Sequence, residues 1–135
     1  MKTFLIAALA SIISMLPLDA TWLTLMGKRF YGRQLGDLMA EKPNFPAAGV
    51  FYLIYTLALS LFVIQPALQG NFSAGKIFFY GAFFGFAAYA TYDLTNQATL
   101  KSWPTLVTLV DMAWGALLTG TVAVVASLIT RCFSA

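Results

Sequence analysis

Histidine is absent from this chain, and cysteine occurs once, as Cys132. Without histidine the commonest metal ligand and the commonest general base are both missing. Haem, di-iron and catalytic-zinc chemistry therefore have no ready ligands, and neither a cofactor nor a metal site is expected. A single cysteine forms no internal disulfide and, alone, no metal site. Charge is scarce as well: charged residues make up 10% of the 135, against 60% hydrophobic, and the mean hydropathy is +0.79. A soluble domain carries about 25% charged residues to clothe its surface. This chain cannot face water on all sides, so its class is integral membrane protein, a single domain over residues 1–135. The net charge of +3 does not signal nucleic acid. The basic residues are not clustered as a groove-binding patch; they sit at the ends of apolar runs, where positive charge orients membrane helices.

Four apolar stretches, at about 4–26, 46–68, 77–98 and 104–130, are each long enough to cross roughly 30 Å of hydrocarbon at about 1.5 Å per residue. The first follows Lys2 and resembles a secretory signal. Its apolar character continues through Trp22 to Met26, and Asp19 would sit beside a cut at Ala20, so it is read as a retained span. The short connections at 69–75 and 99–103 make neighbouring spans antiparallel. In the long connection, Gly27 to Phe45, residues Tyr31, Leu35, Leu38 and Met39 recur at helical spacing while Arg33, Asp37 and Glu41 face elsewhere. That pattern predicts an amphipathic helix lying in the interface, with a polar loop as the alternative because Gly32 and Gly36 weaken a helix. The expected fold is all-α: an antiparallel four-helix transmembrane bundle with an interfacial helix between spans 1 and 2. So small a chain encloses little volume, and a homo-oligomer is expected. Lys28, Arg29, Arg33, Lys42 and Lys101 lie on one side, and Lys2, Lys76 and Arg131 on the other. This excess places the long loop in the cytoplasm and both termini outside, in what reads as a bacterial inner membrane.

The acids are unevenly placed. Asp37 and Glu41 lie in the long loop, whereas Asp19, Asp93 and Asp111 lie in apolar context. Counted from the loop-side ends of their spans, these three sit at a common depth of roughly 10 Å. Tyr52, Tyr55 and Thr56 fall near that depth on the second span, Tyr89, Tyr92 and Asn96 flank Asp93, and Thr108 lies one turn before Asp111. The pattern Asp-x-x-Trp occurs twice, as Asp19 with Trp22 and Asp111 with Trp114. Three-residue spacing puts each tryptophan on its aspartate's face, and the opposite directions of spans 1 and 4 give the pair the look of an inverted repeat. Three stripes are expected to point inward: Ser11, Met15, Asp19, Trp22 and Met26; Gly81, Gly85, Tyr89, Asp93 and Asn96; and Thr108, Asp111, Gly115, Thr119 and Val122. Gly81-x-x-x-Gly85 lets another helix approach closely.

An aspartate near the centre of a span costs about 2.5–3.5 kcal/mol on insertion scales. No lysine or arginine lies deep in any span to offset it. Such residues default to function, and three of them together carry a proton or hold a cation among them. The leading reading is a binding or transport site for a proton, a cation or the cationic part of an amphiphile. Asp19, Asp93, Asp111, Asn96, Tyr52, Tyr55, Tyr89 and Tyr92 would form it, walled by Trp22 and Trp114 through cation–π contact. A membrane-embedded enzyme acting on a lipid or lipid-soluble substrate through an Asp93/Asp111 dyad is the rival. An accessory subunit whose polar layer only locks its helices is the third reading. For Trp22 and Trp114 the bland alternative is interfacial anchoring.

With "PLDATWL", "FPAAGVFYLIY", "YATYDLTNQATL" and "DMAWG" in order along the chain, the sequence resembles a family of small bacterial four-span membrane proteins, domain of unknown function 2177. The resemblance covers essentially the whole chain. It implies the four-span fold and a lipid-related role, and it carries no catalytic role to any residue.

Overall fold

The computed structural model describes all 135 residues, and every regular element in it is helical. Helix α1 runs from Lys2 to Leu38, α2 from Phe45 to Gln69, α3 from Ala74 to Thr99 and α4 from Thr105 to Ser134. Three of these, α1, α2 and α4, are long and apolar enough to cross a membrane. At 26 residues, α3 is about 39 Å long at the helical rise, which also suffices. Its glycines, tyrosines and polar residues keep it less apolar than the other three.

Local chemistry sets the boundaries. Asn44 caps α2 by accepting from the Ala47 amide at 3.1 Å, with Pro46 in the first turn, where its missing N–H is not needed. Ser73 caps α3 through the Lys76 amide. Pro66 lies inside α2, and the turns just before it, Ser60–Ile64, widen into a π-helix. A proline ring collides with the carbonyl four residues earlier; here that is Phe62, within the widened stretch. Pro17, by contrast, is carried within α1 with no break in the helix.

Helix α4 is the centre of the bundle. It supplies 12 of the molecule's 28 buried residues and packs most extensively against α3, then α1. Close approach of α3 depends on its glycines. A Cβ on Gly81 would stand 2.6 Å from that of Ala123, and one on Gly85 would strike the Gly115 carbonyl and the Thr119 side chain. Eleven of the fifteen residues in the three expected inward stripes are buried, and Trp22, Met26, Tyr89 and Asn96 are half-buried. Ser11, Met15, Asp19, Gly81, Gly85, Asp93, Thr108, Asp111, Gly115, Thr119 and Val122 are buried, while Phe79, Phe83 and Leu109 face outward. Helix α2 is the loosest member. Its first part, Phe45–Leu59, packs along α1. Long side chains reach across its gap to α3 and α4: Tyr55 meets the edge of Phe84 at 5.7 Å and bonds to Thr119 at 2.6 Å.

One expectation is corrected. There is no separate interfacial helix between spans 1 and 2. Residues 27–38 extend α1 directly, first as a π-helix over Gly27–Tyr31, then as one α turn and a 3-10 turn. The helical spacing of Tyr31, Leu35, Leu38 and Met39 was legible; Tyr31, Leu35 and Met39 line the cleft beside Asp19 and Asp111, while Leu38 stays exposed. Gly36, at φ +52°, begins the chain's exit from the helix, a backbone conformation only glycine adopts without strain.

Candidate functional site

The acidic layer lies at the end of the bundle where α3 stops and α4 begins. Asp93 is six residues before Thr99 and Asp111 six after Thr105, so both carboxyls sit roughly 9 Å in from that end. Asp19 reaches the same layer on α1, since Trp114 of α4 donates its indole N–H to Asp19 Oδ1 at 3.0 Å. The Tyr52 hydroxyl of α2 donates to the other Asp19 oxygen. Asp111 accepts from the Tyr31 hydroxyl, which itself accepts the Trp22 indole N–H at 3.1 Å. The two indoles stack face to face, with centroids 4.3 Å apart and planes 5° from parallel.

The paired Asp-x-x-Trp motifs are therefore interlocked. The tryptophan of α4 serves the aspartate of α1 directly, and the tryptophan of α1 serves the aspartate of α4 through Tyr31. Every donor to Asp19 and Asp111 is a neutral phenol or indole. Such bonds to a charged acceptor are stronger than neutral ones and offset part of the burial cost.

Asp93 stands apart. It has no exposed surface, and neither of its oxygens has a hydrogen-bond partner. Its polar neighbour is the Asp111 carboxyl. Two ionised carboxylates only accept and repel each other, so the two are joined only when one of them takes up a proton. The three aspartates thus meet in one layer but not as one cluster. Asp93 and Asp111 form a pair, Asp19 is joined to them through the stacked indoles, and no three acids converge into a metal-binding group.

The other expected residues divide. Tyr52 donates to the Asp19 carboxyl. Tyr55 bonds to Thr119 instead, Thr56 turns back on its own helix, and Thr108 accepts from the Trp103 indole. The Tyr89 ring fills the space left by Gly115, where a Cβ would collide with the ring. Tyr92 is largely exposed and meets Trp103 edge-on at 5.8 Å. Asn96 lies beside Tyr92 and is not among the carboxyls' donors. Tyr31, by contrast, was not among the residues expected at the site. Its signal was its place at the head of the Tyr31, Leu35, Met39 stripe.

Two clefts flank Asp111 and share it with Tyr89. One, of about 320 Å³, is walled by Phe51, Tyr55, Tyr89 and Tyr92 with Ala88 at its edge. The other, of about 270 Å³, lies under the α1 extension among Asp19, Trp22, Tyr31, Leu35, Met39 and Trp114. Volumes near 300 Å³ begin the range that holds small ligands. Chemically, the arrangement offers one negative charge or one proton on a desolvated carboxyl pair, aromatic faces for a cation, and no basic group among the hydrogen-bond donors.

Fold and site together define an all-helical membrane protein with an acidic, aromatic layer near one end of its bundle. The chain belongs to the family described as "Predicted membrane protein (DUF2177)", which matches residues 4–128. No curated protein and no solved structure matches it.

Proposed function

We propose that this protein is a small binding protein of the membrane interior, transporter-like in kind, whose Asp93–Asp111 pair takes up a proton and exchanges it for a cation or the cationic head of an amphiphile. The observation that carries this reading is Asp93, fully buried, with no donor on either oxygen, beside a second carboxyl at the edge of an aromatic cleft. Natural proteins satisfy buried polar groups, and an exception calls for an explanation; a site built for an exchangeable proton or cation supplies one. Asp19, saturated by Trp114 and Tyr52, is assigned the structural role of fixing α1 against α2 and α4. The excess of lysine and arginine in the long connection supports a cytoplasmic position for it.

The test is thermal stability of the purified protein in detergent across pH and with added sodium, potassium or tetramethylammonium ions. A ligand of the native state raises apparent stability by mass action. The expected result is a cation-dependent rise in wild type that Asp93→Asn and Asp111→Asn abolish, with a proton released on binding. No shift in wild type, with variants that are merely less stable, would mean the layer only locks the helices. The enzyme reading is favoured by the same pair, since two carboxyls on adjacent helices can share a proton and activate water. Hydrolysis of a membrane-soluble substrate, lost in both variants while the fold persists, would replace the binding reading.

A further inference from the structure

The aromatic cleft does not end at Ala88. On the other side of that residue a second hollow, of about 410 Å³, continues between α2 and α3, lined by Phe62, Val63, Tyr80, Phe83 and Phe84. The two hollows share Ala88 and follow the line along which the first part of α2 stands off α3. From Tyr92 to Tyr80 is 12 residues of α3, about 18 Å at the helical rise. Phe51, Phe62, Phe83 and Tyr92 line this groove and are also outward-facing, so it opens sideways to the bilayer rather than to water. Its two ends differ. One has Asp111, roughly 9 Å inside the bundle end; the other is aromatic and aliphatic and runs through the middle of α3 toward its opposite end.

Resting on the carboxyl-pair reading, we propose that the groove between α2 and α3 holds a long-chain alkylammonium amphiphile. Its cationic head meets Asp111 among Tyr89, Tyr92 and Tyr55, and its alkyl chain lies past Ala88 along Phe84, Phe83 and Phe62. Charge complementarity selects the head, because the acidic end has no basic partner in its hydrogen-bond network. The aromatic walls favour a weakly hydrated ammonium. The geometry selects the tail: an amphiphile in the loop-side leaflet has its head near that interface and its chain toward the bilayer centre, the same polarity as the groove. Ala88 is the joint between the two halves, and its small side chain keeps them continuous.

Lipid tails are as apolar as the groove, so chain burial alone gives little preference over bulk lipid; the head must supply the selectivity. The experiment uses the full chain in lipid nanodiscs and a hexadecyltrimethylammonium carrying a diazirine at mid-chain. The same chain ending in a sulfate is the control, and sites of photolabelling are read by peptide mass spectrometry. The expected result is label concentrated on Val63 and on 83–87 for the ammonium and not for the sulfate, reduced at least tenfold by Asp111→Asn. Ala88→Phe closes the joint and should remove that label. Equal labelling by ammonium and sulfate would make the occupant ordinary lipid and overturn the proposal while leaving the carboxyl-pair reading intact. Label spread evenly over the outward phenylalanines, in a protein that still responds to tetramethylammonium, would remove the tail site alone. No response to any ammonium compound would remove both.

Discussion

Asp19 and Asp93 are the same residue type at the same depth, yet their surroundings assign them opposite contributions to stability. Asp19 has a donor on each oxygen, from Trp114 and Tyr52. Tyr52→Phe removes one of them. Hydrogen bonds to charged groups are worth about 1.5–3 kcal/mol in water-soluble proteins, but polar contacts between membrane helices average about 0.6 kcal/mol. A loss of about 1 kcal/mol is expected, measurable by steric trapping or by unfolding in mixed micelles. Asp93 has no partner to lose. Asp93→Asn puts an amide donor beside the Asp111 carboxyl, so the variant should be at least as stable as wild type, by up to about 1 kcal/mol, while losing its response to cations. A functional carboxyl held at the expense of stability behaves this way. An Asp93→Asn protein that unfolds more readily than Tyr52→Phe would show that Asp93 is structural after all.

At the level of helices, the contact between α3 and α4 is set by glycine. Gly85→Ala would drive a methyl into the Gly115 carbonyl and Thr119. Because these are backbone and a buried side chain, relief requires the helices to separate, at about 1–3 kcal/mol for overpacking. Gly49 of α2 has open space at the corresponding position, so Gly49→Ala should be neutral or stabilising by up to about 1 kcal/mol, as glycine is the poorer helix former. Comparing the melting temperatures of the two variants checks this. The α3 glycine pair was readable from its spacing, as were the inward stripes, because burial in a bundle follows the helical period. The course of residues 27–38 was not. An apolar stripe beside a membrane fits lipid headgroups and a protein cleft equally well, and the sequence carries no mark of the Tyr31–Asp111 bond, which joins residues 80 positions apart. The partners of Tyr55 and Thr108 were hidden for the same reason. Spacing fixes the face of a helix, but which hydroxyl meets which acceptor depends on helix separations set by packing elsewhere. Gly36, at φ +52°, gives this region its own prediction: Gly36→Ala should cost about 1–2 kcal/mol and loosen the extension, seen as faster hydrogen exchange at residues 31–38.

For the whole molecule, four helices put the two termini on one side, and the single cysteine reports which side that is. Cys132 is exposed and unpaired near the end of α4. With the long connection in the cytoplasm, a membrane-impermeant maleimide should label Cys132 in intact cells without lysis. Labelling that appears only after lysis would invert the orientation and leave the fold untouched.

The crossed bonds between the first and last helices also have a consequence in time. Asp19 and the Trp114 indole that serves it are 95 residues apart. At about 5–20 residues added per second, α1 waits roughly 5–20 s after Asp19 is made before that partner exists, and Tyr31 waits nearly as long for Asp111. During that interval the nascent first span carries an incompletely satisfied acid. The ribosome must therefore make the first half of α4 before the earliest helix is complete, and a translation product stopped short of α4 should be degraded rather than accumulate in the membrane.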